Sequence, residues 1–265
     1  MTVELKGLVL RSVKYGESDK LITALTEEGI LFFQARGIRI ITSKNAAGCQ
    51  SFVYSEFLLH KKADKYYLRS ARPLYSTVRA GASLPSLALA SYLASLAEDT
   101  ARDAETGKIV LRLLMNALYL LAKEDRPTDQ IKSVFEIRLL AANGLMPQIG
   151  ECAVCGKDSS ALPSLFFRLT EGDVVCPDCL SALDAECHRV SREVLALCRH
   201  CMESGEEKAY AVRIPEALLR DFARFTEKYL IRQMDRTYST LEFYHEVKRL
   251  GNDDKLEKAK QNESI

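Results

Sequence analysis

Residues 2–39 read TVELKGLVLRSVKYGESDKLITALTEEGILFFQARGIR. Three apolar runs, 2–14, 18–26 and 29–38, are rich in Val, Ile, Leu and Phe and are separated by Tyr15-Gly16-Glu17-Ser18 and Glu27-Glu28-Gly29. Small and polar residues between such runs predict strands joined by tight turns. Two further runs, 52–60 and 66–72, flank the polar Lys62-Ala63-Asp64-Lys65 and predict another hairpin. Gly7, inside the first run, predicts a bulge or a sharp bend. Five short strands within residues 2–72 suit a small closed barrel. The OB-fold is the five-stranded choice, and an SH3-like barrel fits the pattern almost as well.

The period changes after Ser83. Ser83-Leu84-Pro85 reads as a helix start, with Leu87, Tyr92, Leu93 and Leu96 at helical spacing behind it. Further helices are expected over 105–123, from Thr128 to Asn143-Gly144, over 191–204 with Ser191 as cap, and over 215–234. The expected architecture is α+β. Residues 1–80 form the barrel, and 81–250 form an all-α domain into which 148–182 is inserted. Residues 251–265, polar and without periodicity, form a disordered tail.

The chain has 265 residues, 47% of them hydrophobic, which excludes disorder of the whole. Lys and Arg number 37 against 36 Asp and Glu, so no global basic signature is present. The balance hides a segregation: residues 1–80 carry a net +6, 81–150 a net −1, 151–210 a net −5 and 211–265 a net +1. The barrel segment alone has the charge of a polyanion binder. The most apolar stretch, Val110 to Ala122, is broken by Arg112 and Asn116 and falls short of a membrane span. No basic patch precedes an apolar run at the N-terminus, so the chain is read as cytoplasmic.

Eight cysteines in such a chain point to metal or free thiols. Cys152-Ala-Val-Cys155 and Cys176-Pro-Asp-Cys179 form two C-x2-C knuckles twenty residues apart. Two intervening residues let one tight turn aim both sulfurs at one ion, and Gly156 allows the turn. Four thiolates fill a tetrahedral zinc shell and leave no position for water, which makes the site structural and not catalytic. Leu165, Phe166, Phe167 and Leu169, between the knuckles, are expected to form a two-stranded ribbon. Cys198-Arg-His-Cys201 is a third C-x2-C, with Cys187-His188 nearby. It lies late on a helix, where the dipole disfavours thiolate, and is read as helix-face cysteines, a second metal site being the alternative.

The His-x-Glu element of zinc deaminases, the phosphate-cradling G-x-x-x-x-G-K-[ST] and G-x-G-x-x-G, and the acyl-hydrolase G-x-S-x-G do not occur. The N-terminal segment instead interleaves cations with aromatics. Lys14, Lys20, Arg36, Arg39, Lys44, Lys61, Lys62, Lys65 and Arg69 are the candidate nucleic-acid contacts, among Phe32, Phe33, Tyr54, Tyr66 and Tyr67. A basic groove tracks phosphates and aromatic faces stack bases without reading sequence. Alternation along the strands assigns about half of these aromatics to the core.

The order of features resembles the RecO family of recombination mediators. It is carried by Gly7-Leu-Val-Leu10, Tyr15-Gly-Glu-Ser-Asp19, Leu25-Thr26-Glu-Glu-Gly29 and Ala35-Arg-Gly-Ile-Arg39. Glu136-Ile-Arg-Leu-Leu140, Asn143-Gly-Leu-Met-Pro147, Cys152-Ala-Val-Cys-Gly156 and Tyr238-Ser-Thr-Leu-Glu-Phe243 continue it. After Gly37 this chain reads Ile38-Arg39-Ile40-Ile41 where the family more often has several basic residues, so DNA contact by this loop rests on Arg36, Arg39 and Lys44. The resemblance implies an OB-fold joined to a helical domain with a zinc finger. It implies binding of single- and double-stranded DNA, annealing of complementary strands, and, with RecR, loading of RecA onto DNA covered by single-strand-binding protein (SSB). It also implies that the helical domain holds the acidic SSB tail, that the protein is not an enzyme, and a cytoplasmic, nucleoid-associated location. The rival class is a zinc-finger DNA-repair enzyme of glycosylase type; glycosylases with C-terminal zinc fingers begin Pro-Glu after Met, whereas this chain begins Thr2-Val3.

Overall fold

A computed structural model describes residues 1–77, 82–162, 164–181 and 186–262; of the side chains of Ala161 and of 252–262 nothing is described. The boundary expected at 80/81 and the end of the expected insertion at 182 lie outside these residues. The strands are β1 (Thr2–Tyr15), β2 (Asp19–Thr26), β3 (Gly29–Ala35), β4 (Val53–Lys62), β5 (Lys65–Ser76), β6 (Gln148–Cys152), β7 (Leu165–Arg168), β8 (Asp173–Val175) and β9 (His188–Val190). The helices are α1 (Leu84–Thr100), α2 (Ala104–Lys123), α3 (Thr128–Ala142), α4 (Pro177–Leu180), α5 (Arg192–Glu203), α6 (Glu206–Ala211), α7 (Glu216–Met234) and α8 (Ser239–Asn262).

β1 to β5 close into a barrel in the order β1-β2-β3-β5-β4. All pairings are antiparallel except β3 with β5, where Phe33 faces Tyr66 and Gln34 faces Tyr67. This Greek-key closure is that of the OB-fold and decides between the two barrels expected. Inward positions alternate along each strand and supply Val9, Ile22, Ala24, Phe33, Phe57 and Leu59 to one core. Gly16 and Gly29 take φ of +63° and +106° in the two N-terminal turns, a backbone that favours glycine. The irregularity expected at Gly7 lies instead between Val9 and Arg11. Gly7 answers a steric demand: a Cβ there would stand 2.8 Å from the Leu25 carbonyl oxygen.

The chain divides into two compact units, Met1–Arg126 with Tyr238–Ile265, and Pro127–Thr237. In the first, α1, α2 and α8 accompany the barrel, so the units part at different places from the change in secondary structure. Ser83 caps α1, and Asp103 and Thr106 form a reciprocal capping box on α2. Gly107 lets α2 approach the turn before β3 so closely that a Cβ would meet Gly29 N at 2.5 Å. Arg11 grips Glu98 of α1 through two bonds of 2.8 and 2.7 Å. Ser95 meets Thr240 of α8 at 2.8 Å. The stretch expected as a disordered tail is helical backbone as far as Asn262, the end of α8, and 263–265 lie outside the described residues. From Lys255 to Gln261 its sequence consists of Lys, Leu, Glu, Ala and Gln, which favour a helix without needing a buried face.

In the second unit, α3, α5, α6 and α7 pack beside a four-stranded sheet of order β6-β8-β7-β9. The two-stranded ribbon expected between the knuckles is thus a larger sheet, because 148–152 and 188–190 add a strand to each side of it. Phe167 packs edge-on to Phe225 and Tyr229 of α7, at 4.9 and 5.1 Å between centroids. Beneath α3, Lys132 is buried to 1% exposure, its Nζ 2.8 Å from Glu136 Oε1 and 2.7 Å from Glu227 Oε2. Thr226 Oγ1 donates to the second Glu136 oxygen at 2.7 Å. Burial disfavours the ammonium, and the two carboxylates outweigh it and raise the Lys132 pKa.

Candidate metal centre and nucleic-acid interface

The four sulfurs of Cys152, Cys155, Cys176 and Cys179 lie within 4.8 Å of one another. Cys152 ends β6, and its knuckle is closed by Gly156, at φ +70°, donating to the Cys152 carbonyl at 2.8 Å. Cys176 follows β8 and stands before Pro177 at the start of α4. That single turn returns Cys179 N to the Cys176 carbonyl at 3.1 Å. Lys157 and Asp178, one beside each knuckle, form an ion pair of 2.7 Å.

A zinc ion bound at about 2.3 Å to four sulfurs sets them on a tetrahedron with edges of about 3.8 Å. Cys155 Sγ and Cys176 Sγ are 3.7 Å apart. Burial resists the Cys152 thiolate, but backbone N–H groups of Cys176, Cys155 and Val154 outweigh it and bring the pKa down to about 6. Cys179 is pushed up to about 12, first by its bond with Cys176 and then by burial. Four crowded thiols cannot all ionise on their own, and a divalent cation removes that conflict. The residues therefore fit a metal held by four sulfurs, with no ligand position left over.

Cys198 and Cys201 are not part of this cluster. Both are fully buried on α5, and burial lifts their thiol pKa values, that of Cys201 to about 12. They are core side chains, as is Cys49 in the barrel.

Most of the nine candidate cations lie in the β1–β2, β3–β4 and β4–β5 connections or on the strand ends beside them. Lys14 pairs with Lys20 across β1 and β2, and Lys20 Nζ is 3.4 Å from Ser12 Oγ. Arg36, Arg39 and Lys44 occupy the connection between β3 and β4, all exposed. Lys61, Lys62 and Lys65 form the β4–β5 hairpin, with Lys62 paired to Lys65. Arg69 is exposed on β5, its carbonyl bonded by Asn45 at 3.3 Å, next in sequence to Lys44.

Register joins these groups. An outward row, Val13–Leu21–Gln34–Tyr67, crosses four strands. The Arg36 guanidinium stacks 4.7 Å above Tyr67, and Lys61 Nζ lies 5.4 Å from the Tyr66 ring centre. Phe32 is exposed and Phe33 buried, as alternation requires. Asp19 organises the loop: one oxygen accepts from Gly37 N at 2.8 Å, the other from Gln34 Nε2 at 2.6 Å. These bonds, the Gly37 amide foremost, hold its carboxyl below the usual range. Arg39 Nη1 donates to the Glu17 carbonyl at 2.7 Å. His60 sits in this cationic field; burial first, then the N-terminal amine, Arg69 and Lys62, lower its pKa.

One site was not anticipated. In the second unit a cavity of about 710 Å³ is lined by Phe167, Val190, Arg192 and Val194 and by Arg224 and Phe225 of α7. Arg189 and Lys228 add two more cations against Glu193 and Asp221. Its residues come from four elements, so no local spacing announced it.

A small β-barrel with cations and aromatic rings on its outer face is followed in the chain by a sheet whose four clustered cysteines could hold a metal ion. Two family models together match most of the chain. Residues 1–77 match the model described as Recombination protein O N terminal, and residues 82–242 match Recombination protein O C terminal. The chain belongs to the recombination protein O family. It is 28% identical over 245 residues to the DNA repair protein RecO of Acetivibrio thermocellus, covering 92% of this chain and 96% of that one. The Heliobacterium modesticaldum protein of the same name is 30% identical over 221 residues, 81% of this chain and 79% of that one. The Alkaliphilus metalliredigens one is 27% identical over 249 residues, 93% of this chain and the whole of that one. No helix among the described residues is long and apolar enough to cross a membrane.

Proposed function

We propose that this chain is a recombination mediator of DNA repair. It binds single- and double-stranded DNA on the barrel, anneals complementary strands and, with RecR, promotes RecA loading on SSB-coated DNA. The observation that carries this is the barrel surface where the Arg36 guanidinium lies over Tyr67 and Lys61 Nζ over Tyr66, with Val13, Leu21 and Phe32 exposed on the neighbouring strands. Phosphates meet the cations, and bases meet the ring faces. Lys14, Lys20, Lys44, Lys62, Lys65 and Arg69 extend the same field. The four cysteines hold one zinc ion, whose contribution is to fold the sheet that carries them.

The acidic SSB tail docks in the cavity of the second unit. Arg192 and Arg224 meet its carboxylates, and Phe167 and Phe225 its apolar side chains. Work proceeds by holding and releasing strands, without bond-making, in the cytoplasm at the nucleoid. The test is annealing of SSB-coated complementary strands by the purified chain with and without RecR. Acceleration without ATP is expected. Base excision or strand cleavage by the purified protein would turn the reading to the glycosylase-type enzyme. A labelled SSB tail peptide should bind the parent and not the Arg192→Ala, Arg224→Ala variant, whose DNA affinity stays unchanged.

A further inference from the structure

The connection between β3 and β4 carries an apolar tip that the cations alone do not explain. Ile38 points into the barrel at 5% exposure, whereas Ile40 is 54% and Ile41 102% exposed. Single exposed apolar side chains are ordinary. This pair differs in how it is presented. Ile40 N donates to the Gly37 carbonyl at 3.2 Å and Ser43 N to the Ile40 carbonyl at 2.9 Å, so Ile41 and Thr42 form the tip of a hydrogen-bonded turn. Below it, Asp19 holds Gly37 N, and Arg39 N bonds the Ser18 carbonyl at 3.0 Å. On the far side Asn45 is tied to β5 by bonds of 3.3 Å to the Arg69 carbonyl and 3.0 Å from Ala71 N. The segment is also one-signed: from Gly29 to Ser55 there is no Asp or Glu, and Arg36, Arg39 and Lys44 bracket the isoleucines.

A held apolar tip ringed by cations has the chemistry of a wedge for nucleic acid. Phosphates on either side are drawn to the cations, which brings the bases between them onto the tip. An aliphatic side chain can then enter a base step and unstack it. We infer that Ile41, backed by Ile40, inserts between neighbouring bases of bound single-stranded DNA. This rests on the reading of the barrel as the DNA face. The polyanion is favoured over an apolar protein partner because a partner docking on Ile40 and Ile41 would have to cover three cations as well. Insertion breaks the self-stacking of the strand and leaves base edges open to a complementary strand, which suits annealing.

The chain contains no tryptophan, so I41W places a single indole at the tip. L84W, at the exposed start of α1, serves as control. The experiment titrates both full-length variants with two unrelated single-stranded oligonucleotides and reads indole quenching and shielding from acrylamide. Affinity and salt slope are measured beside them for I40S with I41S and for R36A with R39A. The expected result is several-fold quenching and shielding of the I41W indole by DNA and none for L84W. The isoleucine variant should lose roughly tenfold in affinity, the scale of one apolar side chain returned to water, at an unchanged salt slope. If R36A with R39A lowers the slope while the I41W indole stays open to acrylamide and I40S with I41S binds normally, the wedge is wrong and the DNA face stands. Native slope and affinity in R36A with R39A overturn the DNA face itself and the wedge with it.

Discussion

Replacing Arg36 and Arg39 together by alanine tests the DNA face at its centre. Neither guanidinium is buried, and that of Arg36 sits 4.7 Å over the Tyr67 ring, exposed to a passing phosphate. Arg39 spends one nitrogen on the Glu17 carbonyl and keeps the rest of its fork. Each phosphate neutralised on a single strand contributes about 0.7 to the slope of log affinity against log salt. Two lost contacts therefore flatten the slope by about one to two units. Over a fourfold rise in salt the variant gives up roughly sevenfold less affinity than the parent, and near 0.15 M it binds roughly tenfold more weakly. The assay is fluorescence anisotropy on two unrelated sequences over a salt series. Both sequences should weaken alike, because phosphates and stacked bases carry no sequence information. Lysine at both positions should keep the slope, since the charge is kept, while the stack on Tyr67 is lost. Zinc content should not change. Native affinity and native slope in the alanine variant would refute the reasoning and move attention to Arg220, Arg224 and Lys228 on α7.

Other expectations follow from the same geometry. Cys176→Ala should release the metal and loosen the β6–β9 sheet; elemental analysis showing native metal content in the quadruple Cys→Ala variant would sink the assignment. Lys132→Met leaves Glu136 buried without its partner and should cost about 3–5 kcal/mol in urea unfolding, whereas adding Glu136→Leu should recover most of it. An unchanged midpoint in the single variant would show the pair to be idle. Asp19 has a lowered pKa when folded, so its hold on Gly37 is complete above the usual carboxylate value of about 3.9 and fails as pH falls through the lower folded one. Hydrogen exchange at the Gly37 amide reads this directly, and protection already lost at pH 5 would contradict it. Annealing should proceed without ATP, and nucleotide hydrolysis by the purified protein would count against the absence of a phosphate cradle.

The barrel was legible because its signals are local. Turn residues at Gly16 and Gly29 and period-two alternation around Phe32 and Phe33 set strand bounds to within a few residues. The knuckles were legible for the same reason: C-x2-C spacing is a statement about one turn. What spacing could not give is closure. The parallel contact of β3 with β5 joins Phe33 to Tyr66, far apart in sequence, and it alone distinguishes the two barrels weighed. The sheet around the knuckles is larger than the expected ribbon because β9 has only three residues and β6, five residues long, buries its side chains without strict alternation, so neither shows a strand's period. α8 is absent from the expected helices, although Leu241, Tyr244 and Val247 give it a buried stripe at a spacing of three. Lys132 was invisible as a buried charge because its partner Glu227 comes from another helix.

Net charge by segment shows where sequence bookkeeping misleads. Residues 151–210 sum to −5, which argued against any anion site there. Yet within the second unit Arg189 and Arg192 share a cavity with Arg224 and Lys228, and among its described lining residues only Glu193 and Asp221 oppose them. The sum failed because Glu203, Glu206 and Glu207 belong to the far end of α5 and to α6, and because Arg224 and Lys228 are counted in another segment. A local field is set by charges within about a Debye length, roughly 8 Å at physiological salt, and not by the tally of a stretch. The barrel escapes this error because its +6 is spread over strands that neighbour one another in space. Competition decides whether the two cationic places are separate sites. Saturating SSB tail peptide should leave single-strand affinity unchanged if DNA stays on the barrel. Displacement of DNA by the peptide would mean that both ligands use one surface, and that the barrel is not where the strand is held.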